Sequence, residues 1–241
     1  MNRFLPRHAA QDLLQHLSTA AHQQTYDFEK HRVTLLDQAG NELVHFRLPL
    51  VVPPPVSSPA GLSPEKINYV VLLIQAGNCA MGYFEDGVNL HHKVFRSYMV
   101  RKKQGKSQIK YLKTKGKSRA GSRVRLGETE EFFANINGRL QEYFQEHTVH
   151  RIALSCSKTL WPYLFEAEVS TPFDKRDERL FKIPKHVHTP IFEVLQDVNR
   201  FLLRGELIYE PPQQPLVEEL LATLPHWKDY NSVAEEDHST P

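Results

Sequence analysis

Acidic residues are missing from one long stretch of this 241-residue chain: between Asp86 and Glu128 there is no Asp or Glu. Cysteine is scarce too. Cys79 and Cys156 are the only two, each in an apolar, strand-like run, which excludes a disulfide framework and reads as small core residues in a reducing compartment. Long hydrophobic runs are absent; the longest, Tyr69 to Ile74, falls far short of the ~20 residues that a bilayer-crossing helix needs. No membrane partner is expected, and the lack of a signal-peptide core at the N-terminus sets a cytoplasmic expectation. No G-x-S-x-G, Walker A or Rossmann fingerprint occurs. A two-metal nuclease would need an Asp in its first strand to hold Mg²⁺, and Tyr69 to Ile74 has none. His91-His92 and His186-x-His188 lack Cys or carboxylate at ligand spacing, so neither a metal site nor another cofactor is expected. Asp174, Asp177 and Glu178 cluster with Lys175 and Arg176, a mixture that reads as a solvated turn.

What the acid-free stretch does contain is positive charge. It holds thirteen of the thirty Lys and Arg, leaving seventeen bases against twenty-eight acids elsewhere, a net of −11. The formal charge of +2 therefore hides a two-signed molecule. Like charges at this density repel and stay solvated until a polyanion neutralises them, and nucleic acid is the polyanion that fits. The expected RNA-binding residues are Arg101, Lys102, Lys103, Lys106, Lys110, Lys113, Lys115, Lys117, Arg119, Arg123 and Arg125.

Around that stretch the pattern alternates. Residues 7–21 place Leu13, Leu14 and Leu17 at helical spacing, followed by strand-like pieces at 25–36 and 42–50 joined by Asp37 to Asn41. The Pro-rich residues 51–66 read as an extended linker. The main domain, 67–210, opens with three strands on short turns, of which Glu85-Asp86-Gly87 is one. After the basic loop, Phe132, Phe133, Ile136, Leu140, Tyr143 and Phe144 mark a helix from about Glu128, whose acids suit the positive end of its dipole. A core strand at Arg151 to Cys156, a helix at Leu160 to Ala167, a strand-like segment at Arg179 to Val187 and a helix capped by Thr189-Pro190 follow, with Leu207 to Tyr209 as a last strand. The expected fold class is α/β, one mixed sheet with helices packed on it, preceded by an N-terminal helix-plus-hairpin segment (1–50) and followed by a partly disordered extension (211–241).

The loop centre reads Lys103-Gln104-Gly105-Lys106-Ser107-Gln108. A neutral amide does not titrate near pH 7, so Gln108 is no general base, but it can orient a water and stabilise developing charge. Gly105 lets the backbone approach a ligand closely. The order His92-Lys93-x-Phe95, Tyr98-x-Val100-Arg101, Gln104-Gly105-x-Ser107-Gln108, Lys117 and Ala120-Gly121-Ser122-x-x-Arg125 resembles the release-factor-like domain of the ribosome-rescue peptidyl-tRNA hydrolases. Ile183-Pro184 and Thr189-Pro190 match that family's closing pattern, and the resemblance runs from about Tyr69 to Tyr209.

The resemblance implies a fold like the RNase H-like middle domain of archaeal and eukaryotic release factors, with a long basic catalytic loop. It implies Gln108 as the catalytic glutamine, with Ser107 and Gly105 beside it. Lys106 stands where the family usually has Gly, which bears on catalysis more than on ribosome binding. The implied partners are the large ribosomal subunit, ribosomal RNA and peptidyl-tRNA, with no DNA, and the implied activity is ester hydrolysis that frees nascent chains on stalled subunits. A non-catalytic ribosome- or RNA-binding factor and a nuclease-like scission of the tRNA 3′ end are the competing expectations. The zinc finger and ankyrin repeats of the eukaryotic member are not found in these residues, so a bacterial stand-alone type is expected.

Overall fold

The computed structural model describes residues 1–19, 22–55, 66–97 and 118–225, without the side chains of 118–126. In chain order its elements are β1 (Asn2–Leu5), α1 (Arg7–Thr19), β2 (Gln23–Asp27), β3 (Arg32–Leu36), β4 (Glu42–Arg47), β5 (Asn68–Gln75), β6 (Asn78–Glu85), β7 (Val88–Arg96), α2 (Ser118–Glu146), β8 (Arg151–Cys156), α3 (Trp161–Phe165), β9 (Leu180–Lys182), α4 (Phe192–Leu202), β10 (Gly205–Tyr209) and α5 (Gln214–Ala222). They form two compact units, Met1–Ile67 with Arg200–Pro241, and Asn68–Asn199.

The first unit is an antiparallel sheet in the order β1-β10-β4-β3-β2. Helix α1 buries Ala9, Ala10, Leu13 and Leu17, one stripe at helical spacing. That stripe joins Val33, Leu35, Val44, Phe46 and Leu207 from the sheet and Val217, Leu220 and Leu221 from α5 in a single core. Gly205 is the point of closest approach: a Cβ there would lie 2.8 Å from the Ala10 Cβ and 3.2 Å from the Phe46 ring. Gly205→Ala is expected to destabilise by about 1–3 kcal/mol, the usual range for overpacking, read from the urea unfolding midpoint.

Three sequence expectations change here. The piece at 25–36 is a hairpin, β2 and β3, because Asp27 Oδ1 accepts the Lys30 amide at 3.0 Å and closes a turn, with His31 at φ +47°. β10 does not complete the sheet of the main domain; it pairs with β1 and β4. The single mixed sheet thus becomes two sheets.

The second unit carries the mixed sheet, in the order β7-β6-β5-β8-β9. β5, β6 and β7 form the expected antiparallel meander, while β5–β8 and β8–β9 pair in parallel. Asp86 (φ +46°) and Gly87 (φ +97°) make the two-residue turn between the paired Glu85 and Val88, the geometry in which positive φ matches strand twist. Alternate residues of β5, Val70, Leu72 and Ile74, face α2 together with Cys79, Met81 and Tyr83. Against them α2 sets Phe132, Phe133, Ile136, Leu140 and Tyr143, each fully burying side chain contributing roughly 1.5–3 kcal/mol. Helix α2 begins at Ser118, ten residues ahead of the expected Glu128. Acids in a first turn add only about 0.3–1 kcal/mol, so they mark a favourable start without fixing it, and Arg, Ala and Leu upstream are good helix formers.

Polar anchors fix the periphery. The Tyr69 hydroxyl donates to Asn199 Oδ1, and Asn199 Nδ2 donates to the Gly87 carbonyl at 2.9 Å, tying α4 to β5 and the β6–β7 turn. Buried Asn137 donates to Leu164 O at 2.8 Å and Val169 O at 2.7 Å, holding the segment around α3 against α2.

Candidate nucleic-acid interface

The basic stretch connects β7 to α2, both of them in the second unit. Gly105, Ser107 and Gln108, with Arg101, Lys102, Lys103, Lys106, Lys110, Lys113, Lys115 and Lys117, lie outside the described residues. Arg119, Arg123 and Arg125 fall on helical backbone in the first turns of α2, not in a loop.

The two roots of the stretch meet. The Ser97 amide donates to Gly77 O at 2.8 Å, and its hydroxyl donates to Glu128 O at 3.3 Å across 31 residues of sequence. Between them lies a groove of about 250 Å³, with Phe95, Arg96 and Ser97 on one side and Glu128, Glu131 and Phe132 on the other. β7 is an edge strand, and His91, His92, Lys93 and Arg96 on it are exposed. Lys93 and Arg96 on this edge discourage strand addition and place part of the stretch's positive charge on β7. The His92 ring packs 4.0 Å from the Phe192 ring, and His91 lies 5.2 Å from His147, which stacks on Tyr83 at 4.1 Å.

The two thiols and the Tyr83 phenol are not activated as nucleophiles. Burial pushes the Cys79 thiol well up, with Cys156 adding to the effect, and pushes Cys156 up to about 12, so both stay protonated at neutral pH. Burial and the Glu85 carboxylate, which accepts the phenol proton at 3.1 Å, push Tyr83 up to about 12. Among the described residues no His, Cys, Asp and Glu cluster suits a metal ion, and no helix is long and apolar enough to cross a membrane.

The acidic cluster near residue 175 is a turn. Asp174 Oδ1 accepts the Arg176 amide at 2.7 Å, and Asp177 takes a two-pronged contact from Arg179, 2.9 Å from Nε and 2.7 Å from Nη2. Arg179 holds the Asp177 carboxyl below the ordinary carboxylate value against the opposing effect of burial. A depressed folded value means the pair stabilises above the unfolded carboxylate's ~3.9 and is lost as pH falls through the folded value. Asp177→Asn is expected to flatten the acid limb of the stability curve below about pH 4 and to cost under about 1 kcal/mol at pH 7, since the guanidinium is partly exposed. Urea unfolding at pH 3 and pH 7 checks this.

Sequence comparison places the chain among known proteins. A mouse (Mus musculus) protein described as tRNA endonuclease ANKZF1 is 25% identical over 230 residues, 87% of this chain and 29% of that protein. The chain thus spans under a third of that relative's length. The solved structure of the Vms1 mitochondrial localization core aligns with 14% identity and a TM-score of 0.43, covering 75% of this chain and 76% of that one. The model of the Bacteroidetes VLRF1 release factor family matches residues 69–210, which take in β5 to β10 and the whole acid-free stretch. That match covers more than half of the 241 residues, and the chain belongs to this release factor family.

Proposed function

We propose that this protein is a ribosome-rescue peptidyl-tRNA hydrolase, freeing nascent chains from tRNA on stalled large ribosomal subunits. The observation that carries the reading is an acid-free, thirteen-cation stretch seated within a release-factor-family domain and rooted on β7 and α2. The cations hold RNA phosphates, releasing counterions as they bind. Gln108 orients a water against the ester carbonyl: the water oxygen bonds to the carbonyl carbon, the bond to the ribose oxygen breaks, and that oxygen leaves with a proton. An amide cannot take the water's proton, so RNA groups around the ester complete the transfer, and Gln108 acts by placement and by stabilising the developing charge. Gly105 lets the backbone approach, Ser107 flanks Gln108, and Lys106, where the family usually has Gly, grips a phosphate of the tRNA end. The strand order, with β6 alone antiparallel to the rest, supports an RNase H-like reading of the domain.

Scission of the tRNA 3′ end is the second reading, favoured by the description of the mouse relative. Against a metal-dependent version stands β5, Asn68–Gln75, which has no carboxylate. Stalled large-subunit complexes carrying a labelled nascent chain and a labelled tRNA decide the matter. Released peptide with full-length tRNA is the expected result. Shortened tRNA would replace hydrolysis by scission, and salt-sensitive binding with neither product would leave a non-catalytic binder.

A further inference from the structure

We infer that a second cationic surface, built by the β8–α3 turn and the β9–α4 connection, grips the phosphate backbone of the tRNA acceptor arm beside the basic stretch. This rests on the release-factor reading above and extends it to residues outside the acid-free stretch.

Strand direction brings these segments together. β7 and β5 each run antiparallel to β6, and β8 and β9 run parallel to β5, so β7, β5, β8 and β9 all point the same way. The carboxyl ends of all four, at Arg96, Gln75, Cys156 and Lys182, therefore share one end of the sheet. That end is where open α/β sheets take their ligands. It is also the end at which the basic stretch is rooted, through Ser97 and α2.

The charge is sorted accordingly. Two further acid-free runs occur in this unit: Glu146 to Glu166 encloses Arg151 and Lys158, and Glu178 to Glu193 encloses Arg179, Lys182 and Lys185. Lys158, Lys182 and Lys185 are exposed and follow or end β8 and β9. Glu85, Asp86, Glu146, Asp174, Asp177 and Glu178 instead cluster along the opposite end, at the β6–β7 turn and ahead of β8 and β9. Glu128 and Glu131 at the groove are the acids beside the basic root. Four other surface cations are paired: Lys30 with Asp27, Arg139 with Glu142, Lys175 with Glu166 and Arg179 with Asp177. Lys158 and Lys182 have no ion-pair partner among the described residues.

Both segments are held in place before any ligand arrives. Lys158 sits on a turn closed by the Leu160 amide to Ser157 O at 3.0 Å and by a 2.8 Å contact between the Ser157 and Thr159 hydroxyls. Beyond Lys182, buried Ile183 and Val187 alternate with exposed Lys185 and His186, and Gln75 Nε2 pins Val187 O at 2.7 Å. Such preorganisation lowers the ordering cost of binding. At ~4.8 Å per strand, β8 and β9 stand about 14 and 19 Å across the sheet from β7. A polyanion engaging both the stretch and this surface must extend over that distance. The duplex joined covalently to the ester-bearing 3′ end is the acceptor arm, and double-stranded RNA is held through its backbone by phosphate contacts of this kind.

The test uses the full chain, wild type and K158Q/K182Q/K185Q, binding to large ribosomal subunits with and without peptidyl-tRNA across 50–200 mM KCl. Each phosphate contact carries ~0.7–0.9 of slope in log K against log salt, so the variant should lose about 2 on tRNA-bearing subunits. On subunits stripped of tRNA the two proteins should coincide. Lys158→Gln and Lys182→Gln alone should each lower the slope by about 1, which guards against a folding defect in the triple variant. Equal loss on both kinds of subunit would assign the surface to ribosomal RNA, and weaker binding at unchanged slope would assign it to a protein contact; either overturns the inference. No loss while the wild type binds tightly would remove the surface and leave the release-factor reading standing. Wild type that binds neither subunit would sink that reading itself, and this inference with it.

Discussion

Gln108→Ala should slow peptide release from stalled large-subunit complexes by about 100–1,000-fold, the range seen when one preorganised donor aimed at developing charge is removed. Binding should hardly change. One neutral amide is lost from a stretch that keeps all thirteen of its cations, and the salt dependence of association belongs to the cations. Gln108→Glu is the informative companion. It preserves length and shape but replaces a donor with an acceptor-only group and adds negative charge beside RNA, so placement of the water should fail as badly as in the alanine variant. Single-turnover release on pre-bound complexes, with cosedimentation measured in parallel, separates the chemical step from recruitment. Release by Gln108→Ala at the wild-type rate would remove Gln108 from the mechanism, whatever the binding curves show.

How far the sequence could be read depended on whether a feature is local. The β5–β7 meander was legible because its evidence sits within a few residues: an apolar run for β5 and an Asp86-Gly87 turn whose positive φ values the structure contains. The inner face of α2 was legible from the spacing of Phe132 to Tyr143. Its start was not, since ten further residues of ordinary helix formers carry no stop signal ahead of the acids. β1 and β10 show the opposite case. Asn2–Leu5 and Gly205–Tyr209 are short segments that become strands by pairing with each other across the length of the chain, and nothing within either names its partner. The hairpin at β2–β3 did announce itself, through Asp27 three residues ahead of the amide it accepts, but one Asx turn inside a strand-like run is easily read through. At the site, charge alone located the acid-free stretch. The contact of Ser97 with Glu128 and the shared sheet end of Lys158 and Lys182 arise from strand pairing, so they appear only once the sheet order is known.

The largest stability effect should come from a residue with no part in RNA binding. Glu206→Ala is expected to destabilise the protein by about 3–5 kcal/mol, the cost of leaving one partner of a buried ion pair uncompensated. Arg47 and Glu206 are 3% and 8% exposed, and Arg47 Nε donates to Glu206 Oε2 at 3.0 Å. The carboxylate also accepts from Asn2 Nδ2 at 2.9 Å, so one side chain on β10 ties β4 on one flank to β1 on the other. Arg47 has little else to turn to. Its guanidinium lies 4.3 Å from the Phe201 ring centroid, its Nη2 reaches Phe201 O only at 3.5 Å, and its Nη1 is buried without a hydrogen-bond partner among the described residues. With the carboxylate gone, a full positive charge remains where water cannot solvate it. Since whole domains are stable by only about 5–15 kcal/mol, urea unfolding should show a large drop in midpoint. The paired replacement Arg47→Met with Glu206→Leu removes both charges at similar volume and should recover most of the loss, as uncharged substitutes for buried pairs often do. Failure of that rescue would mean that the geometry of the hydrogen bonds to β1 and β4, and not the compensation of charge, holds this sheet together.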